Sequence, residues 1–157
     1  MQALLRSALC LLGILASHQA TAFCVYNKTD RGNATFDQYN WHENNWPKKW
    51  KDSFAAFVRH QGKEACCNWR NSSCNPEGGQ QKSMVSFKIS VKQTGLGSFS
   101  CEAEHKVIQI QAGGWIEVHD NKSFDKSKKP SAANPPFNVE TFEVDGRQHH
   151  AAHCPHA

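Results

Sequence analysis

The densest ligand chemistry in the chain stands at its C-terminus, where Gln148-His149-His150-Ala151-Ala152-His153-Cys154-Pro155-His156-Ala157 sets four imidazoles and one thiol within eight residues. Imidazole and thiolate are the donors that zinc, copper(II) and nickel prefer, and a flexible tail can wrap them around an ion without a preformed cavity. His149, His150, His153 and His156 are therefore the candidate metal ligands, with zinc or copper as the implied cofactor. Imidazoles change charge between about pH 5 and 8, so mild acidification is expected to release the metal and charge the tail. The competing reading gives Cys154 to a disulfide, for instance one pinning the C-terminus to Cys24, and leaves the histidines as a solvated end.

A second group with reactive side chains comprises Glu102, Glu104, His105, Glu117 and His119. Strand alternation puts Glu117 and His119 on one face, and small secreted nucleases assemble such a pair with an arginine around a phosphate. Exposed strand faces carry similar pairs routinely, and there is no Gly-x-Ser-x-Gly, His-Glu-x-x-His or phosphate-cradling glycine loop. No catalytic residue is assigned, and the chain is read as a non-enzymatic binding protein. Trp41, Trp46 and Trp69 are candidate glycan contacts, since exposed indoles stack on sugar rings, whereas Trp50 is expected on the apolar face of a helix. Lys48, Lys49, Lys51 and the Lys126, Lys128, Lys129 run read as solvated faces, with attraction to acidic glycans or membranes as the alternative.

These groups need a scaffold, and the N-terminus says where it folds. Arg6, the apolar run from Ala8 to Ala16, and Ala20-Thr21-Ala22 make residues 1–22 a secretory signal peptide cut after Ala22. Its apolar stretch is about half of the ~20 residues a membrane span needs, and no membrane span is expected. The mature chain of 135 residues keeps 17 cations against 14 acids, too small an excess to argue nucleic-acid binding. It also keeps six cysteines, Cys24, Cys66, Cys67, Cys74, Cys101 and Cys154, enough for three disulfides of unassigned connectivity. Adjacent Cys66 and Cys67 are expected to take different partners, because bridging neighbours strains the geometry. Sequons at Asn27, Asn33, Asn71 and Asn121 agree with an extracellular glycoprotein.

The length suits one domain. Phe23–Asn27 and Ala34–Tyr39 read as a hairpin, and Pro47 to about His60 as one amphipathic helix carrying Trp50, Phe54, Phe57 and Val58 and closed by Gly62. Residues 64–81 read as an irregular disulfide-held loop. Val85, Phe87, Ile89 and Val91 alternate as a strand, followed by strands at 98–102, 106–111, 115–119 and 137–144, with a hairpin turn at Gly113-Gly114. The polar stretch 120–136 ends, from Lys128 to Pro136, in linker-like composition. The expected fold is mainly β: a disulfide-stapled antiparallel β-sandwich or open barrel with one helix, spanning 23–147, followed by the tail 148–157.

With a signal peptide, a Phe-Cys start, the Cys66-Cys67 pair with Cys74 in a loop, a β-rich body and sequons, the chain resembles the small secreted cysteine-rich proteins of fungi, many of which act as effectors on a host. Its His-Cys tail is similar in kind to those of secreted fungal zinc scavengers, without their larger body. The resemblance implies a secreted virulence-type protein that binds a host protein, a cell-wall glycan or a metal. Three functions follow in order: an effector at a host interface, an extracellular zinc or copper binder, and a glycan-binding module.

Overall fold

A computed structural model describes residues 22–39, 54–75, 79–102 and 107–156. Ten strands account for the regular structure of these residues: β1 (Ala22–Asn27), β2 (Gly32–Tyr39), β3 (Ala55–Val58), β4 (Lys63–Asn68), β5 (Met84–Gln93), β6 (Gly97–Glu102), β7 (Ile108–Gln111), β8 (Trp115–Asp120), β9 (Phe137–Phe142) and β10 (Gln148–His156). They form one sheet in the order β3-β2-β5-β6-β10-β9-β8-β1-β4, with β7 paired to β5 off this path. Every pairing is antiparallel except β1 with β8. The edge strands β3 and β4 meet at the Arg59–Gly62 turn, but no ladder joins them, so the sheet is not a closed barrel.

Alternation builds the core. Phe23 and Val25 of β1, Ala34 and Phe36 of β2, Phe87, Ile89 and Val91 of β5, Ile116 and Val118 of β8, and Phe137 and Val139 of β9 all point inward and are buried. Phe23 packs edge to face on Phe87 with centroids 5.2 Å apart, and Phe99 on Phe137 at 5.6 Å. The intervening residues of the same strands face outward, and on that outer face the polar chemistry collects.

The expected helix is not found where the structure describes it. Residues 47–53 lie outside the described residues, and Ala55–Val58 is strand β3, paired to β2 from Ala34↔Val58 to Asp37↔Ala55. The physical reason is an ambiguous pattern. Phe54, Phe57 and Val58 fit a helical stripe, but Phe54, Ala56 and Val58 also fit a period of two, and this set packs on the core while Phe57 is 62% exposed. Gly62 then serves a turn rather than a helix end. It and Gln61 have positive φ, and their N–H groups donate to Asn27 O and Thr29 O.

Two expected hairpins are turns without pairing. β1 ladders with β4 and β8, not with β2, and the turn at Gly114, whose N–H donates to Gln111 O, leads from β7 on β5 into β8 between β1 and β9. Part of the expected loop 64–81 is strand β4. The stretch 121–136 is a braced loop inside the domain: Asp125 N–H donates to Asn134 Oδ1 at 2.8 Å, and Asn134 Nδ2 donates to Asp125 O at 3.0 Å.

The disulfides are Cys24–Cys66, Cys67–Cys74 and Cys101–Cys154. Cys66 and Cys67 take different partners as expected, since successive strand residues face opposite sides. Cys154 does not reach Cys24, because β10 lies between β6 and β9 and meets Cys101 there.

Candidate functional site

Ile116 and Val118 turn inward on β8, so Trp115, Glu117 and His119 must turn outward. Parallel β1 sets Tyr26 beside Glu117, and antiparallel β9 sets Glu140 beside Glu117 and Asn138 beside His119. Cross-strand neighbours on one face come within side-chain reach. Glu117 Oε2 lies 3.0 Å from His119 Nε2, and Glu140 Oε2 lies 4.0 Å from the same nitrogen. Glu117 Oε1 accepts from Lys28 Nζ at 2.7 Å and from Trp115 Nε1 at 3.1 Å. The Trp115 indole is held in turn by stacking on Phe142, with centroids 4.9 Å apart.

Glu117 is the electrostatic centre of this group. Burial pushes its carboxyl upward, but hydrogen bonds from Lys28, Trp115 and His119 and the charge of Lys28 outweigh that and hold it below its ordinary 4.5. Tyr26 is pushed the other way, first by burial and then by the negative charges of Glu64 and Glu117. A depressed carboxylate contributes stability that is complete above its unfolded value and is lost as pH falls through the lower folded value. Urea midpoints are therefore expected to hold steady down to about pH 4.5 and fall below it, and Glu117→Gln should flatten that fall. A fall equally steep in Glu117→Gln would remove Glu117 from the account.

One oxygen or nitrogen from each of Glu117, His119 and Glu140 lies within 4.8 Å of the others, a spread that a single cation can bridge. One imidazole with two carboxylates is a donor set suited to zinc, manganese or copper(II). The pair Glu117 and His119 was legible from alternation. Glu140 and Lys28 were not, because nothing in the sequence says that β9 and β1 flank β8.

The C-terminal histidines are arranged differently from the expected tail. Residues 148–156 are strand β10, hydrogen-bonded to β9 on one side and β6 on the other. His149 Nδ1 lies 3.2 Å from Glu143 Oε1, and His153 Nδ1 lies 2.8 Å from Asn138 Oδ1. Four residues of extended chain separate these two histidines by about 13 Å, too far to share an ion. His150 and His156 belong to the same strand, with side chains outside the described residues. Inward Ala152 and Cys154 alternating with outward His153 are the strand signal that the histidine count obscured.

The sequons separate by environment. Asn71 is exposed, and its Oδ1 accepts from Ser73 N–H at 3.0 Å. Asn33 is half-buried and accepts from His60 N–H. Asn121 donates to Pro135 O at 2.7 Å, whereas Asn27 is completely buried and spends its amide on Gly32 O and Val58 O. Of the candidate glycan contacts, Trp41 and Trp46 lie outside the described residues. Trp69 is partly buried against the core, with the Arg70 guanidinium 4.9 Å from its ring centre. Glu104 and His105 also lie outside the described residues, and Glu102 is placed only as backbone in β6.

No helix among the described residues is long and apolar enough to cross a membrane. Set against known proteins, the chain matches no family model, no curated protein and no solved structure.

Proposed function

We propose that this chain is a secreted, disulfide-stapled binding protein working without catalysis, and that its best-supported ligand is a divalent ion, zinc or copper(II), held by Glu117, His119 and Glu140. The observation that carries this reading is the convergence of three ligand atoms from β8 and β9 within 4.8 Å. Regular strands supply the rigidity that such a site needs, since neither backbone has to order around the ion. The signal-peptide pattern and three disulfides support an extracellular setting. An effector-type role at a host interface fits that setting, with a host protein or a cell-wall glycan as the macromolecular partner.

Lys28 matters to the ion's affinity, because its ammonium already neutralises Glu117 from 2.7 Å. An incoming ion displaces it or shares the carboxylate. Titration with zinc and copper(II) is expected to change Trp115 emission, because the indole donates to the carboxylate that would bind the ion. His119→Ala should weaken binding by about tenfold or more, as losses at metal sites do. Lys28→Met should strengthen it, and the His149→Ala/His153→Ala pair should leave it unchanged. Lowering the pH should weaken it, since imidazole ligates only when deprotonated. Binding that survives His119→Ala but is lost with His149 and His153 would return the site to β10.

A further inference from the structure

At one end of the sheet three connections enclose an open pocket of about 450 Å³, within the usual range for small-ligand sites. The β1–β2 turn supplies Asp30 and Arg31, the β5–β6 turn supplies Leu96, and the β8–β9 loop supplies Lys122, Phe124 and Lys126. Its walls are tied together. Asp30 N–H donates to Asp120 Oδ2 at 2.7 Å across 90 residues of sequence, and Asn121 binds the far side of its own loop through Pro135 O and Pro136 O. The site therefore exists before a ligand arrives, which lowers the ordering cost of binding.

Its chemistry is mixed in an informative way. Arg31, Lys122 and Lys126 are exposed and have no ion-pair partner among the described residues, unlike Lys28 and Lys128, which are paired to Glu117 and Asp125. Leu96, 41% exposed, and Phe124 add apolar surface to the same pocket. Asp30 and Asp120 add carboxylates, which accept hydrogen bonds from hydroxyl groups. Cations for an anion, carboxylates for hydroxyls and an aromatic face for C–H surface are together complementary to a sugar bearing acidic groups. We infer that this pocket binds an acidic oligosaccharide, a uronate or sulfated sugar chain, through Arg31, Lys122, Lys126 and Phe124. It shares no side chain with the Glu117 group, so the two sites stand or fall separately.

The test is calorimetric titration of the oxidised protein with a galacturonate tetramer and a heparin-derived tetrasaccharide, beside neutral cellotetraose and chitotetraose. Binding of at least one acidic probe and of neither neutral one is expected, and which acid binds separates uronate from sulfate. Lys122→Glu/Lys126→Glu should weaken it by at least about tenfold and reduce its salt dependence, because steering and pairing charges are reversed together. Phe124→Ala should weaken it with the salt dependence unchanged. The exposed pair Lys63→Glu/Lys129→Glu, outside the pocket, changes net charge equally and should have little effect. The four lysines lie on the surface and Phe124 is partly exposed, and unchanged melting temperatures verify the fold of each variant. Equal losses in the two charge-reversed pairs would reduce the interaction to net charge and overturn the pocket. Failure of both acidic probes to bind, or equal binding of neutral probes, would overturn it as well.

Discussion

Replacing both Cys101 and Cys154 by alanine is expected to cost the protein about 4 kcal/mol of stability, about the same as the 42-residue separation of Cys24 and Cys66 implies for theirs. Cys101 and Cys154 lie 53 positions apart, and closing a loop of that length restricts the unfolded chain by about that amount on the loop-entropy scale. Cys67 and Cys74 are only 7 apart, and the same scale assigns their bridge about 2.4 kcal/mol. Position adds to length. Cys101 and Cys154 are both buried, so alanine there also removes packed sulfur from the core, and the bridge joins β6 to β10 near the middle of the sheet. Against a typical total of about 5–15 kcal/mol, such a loss is large. Urea unfolding of the oxidised double variants measures it. Cys101→Ala/Cys154→Ala should lose more than Cys67→Ala/Cys74→Ala by at least about 1.7 kcal/mol, and equal losses would mean that loop length does not rank the bridges.

Asn27→Ala should cost about 3 kcal/mol, far more than a glycan-bearing surface asparagine could. Its side chain makes four hydrogen bonds in a fully buried site: Nδ2 donates to Gly32 O at 2.7 Å and Val58 O at 2.8 Å, and Oδ1 accepts from Thr29 N–H at 3.1 Å and Thr29 Oγ1 at 2.7 Å. Alanine takes this partner from Val58 O and Thr29 N–H, while Gly32 O keeps Thr29 Oγ1 at 2.6 Å, and each buried group left unpaired costs about 1–3 kcal/mol before relaxation. One partner, Gly32, sits in close packing, since a Cβ there would come within 2.6 Å of Val91. Asn27→Asp should fare little better, because it keeps an acceptor but loses both donors. The same geometry predicts that the folded protein carries no glycan at Asn27, whereas the exposed Asn71 accepts one. Glycopeptide mass spectrometry checks this, and an occupied Asn27 in folded protein would contradict the buried arrangement.

Asn27-Lys28-Thr29 shows how a local motif and its use part company. Asn27 and Thr29, which with Lys28 spell an acceptor sequon, form the bracket that holds the β1–β2 turn at Gly32 and ties it to Val58 of β3. Short-range pattern reports which residues prefer a turn, but not whether that turn is solvated. The Phe54–Val58 segment makes the same point. Two periodicities fit it, and pairing with β2 on one side together with packing of Phe54 against Phe23, 4.9 Å between centroids, selects the strand.

What the sequence determined by itself is whatever depends on neighbours in the chain. The mainly β character and the strands read at 84–91, 98–102, 106–111, 115–119 and 137–144, found at 84–93, 97–102, 108–111, 115–120 and 137–142, follow from a period of two, and the separate partners of Cys66 and Cys67 from the strain of bridging neighbours. So does the shared face of Glu117 and His119, which meet at 3.0 Å. Tertiary structure alone decided which strands adjoin. That choice pairs Cys154 with Cys101, brings Lys28 and Glu140 to Glu117, gathers three turns around one pocket and spreads the C-terminal histidines along β10. The physical reason is that strand order is set by long-range burial of the inward faces, in which every alternating strand presents much the same apolar pattern. Only the packed core discriminates among the pairings that such patterns allow.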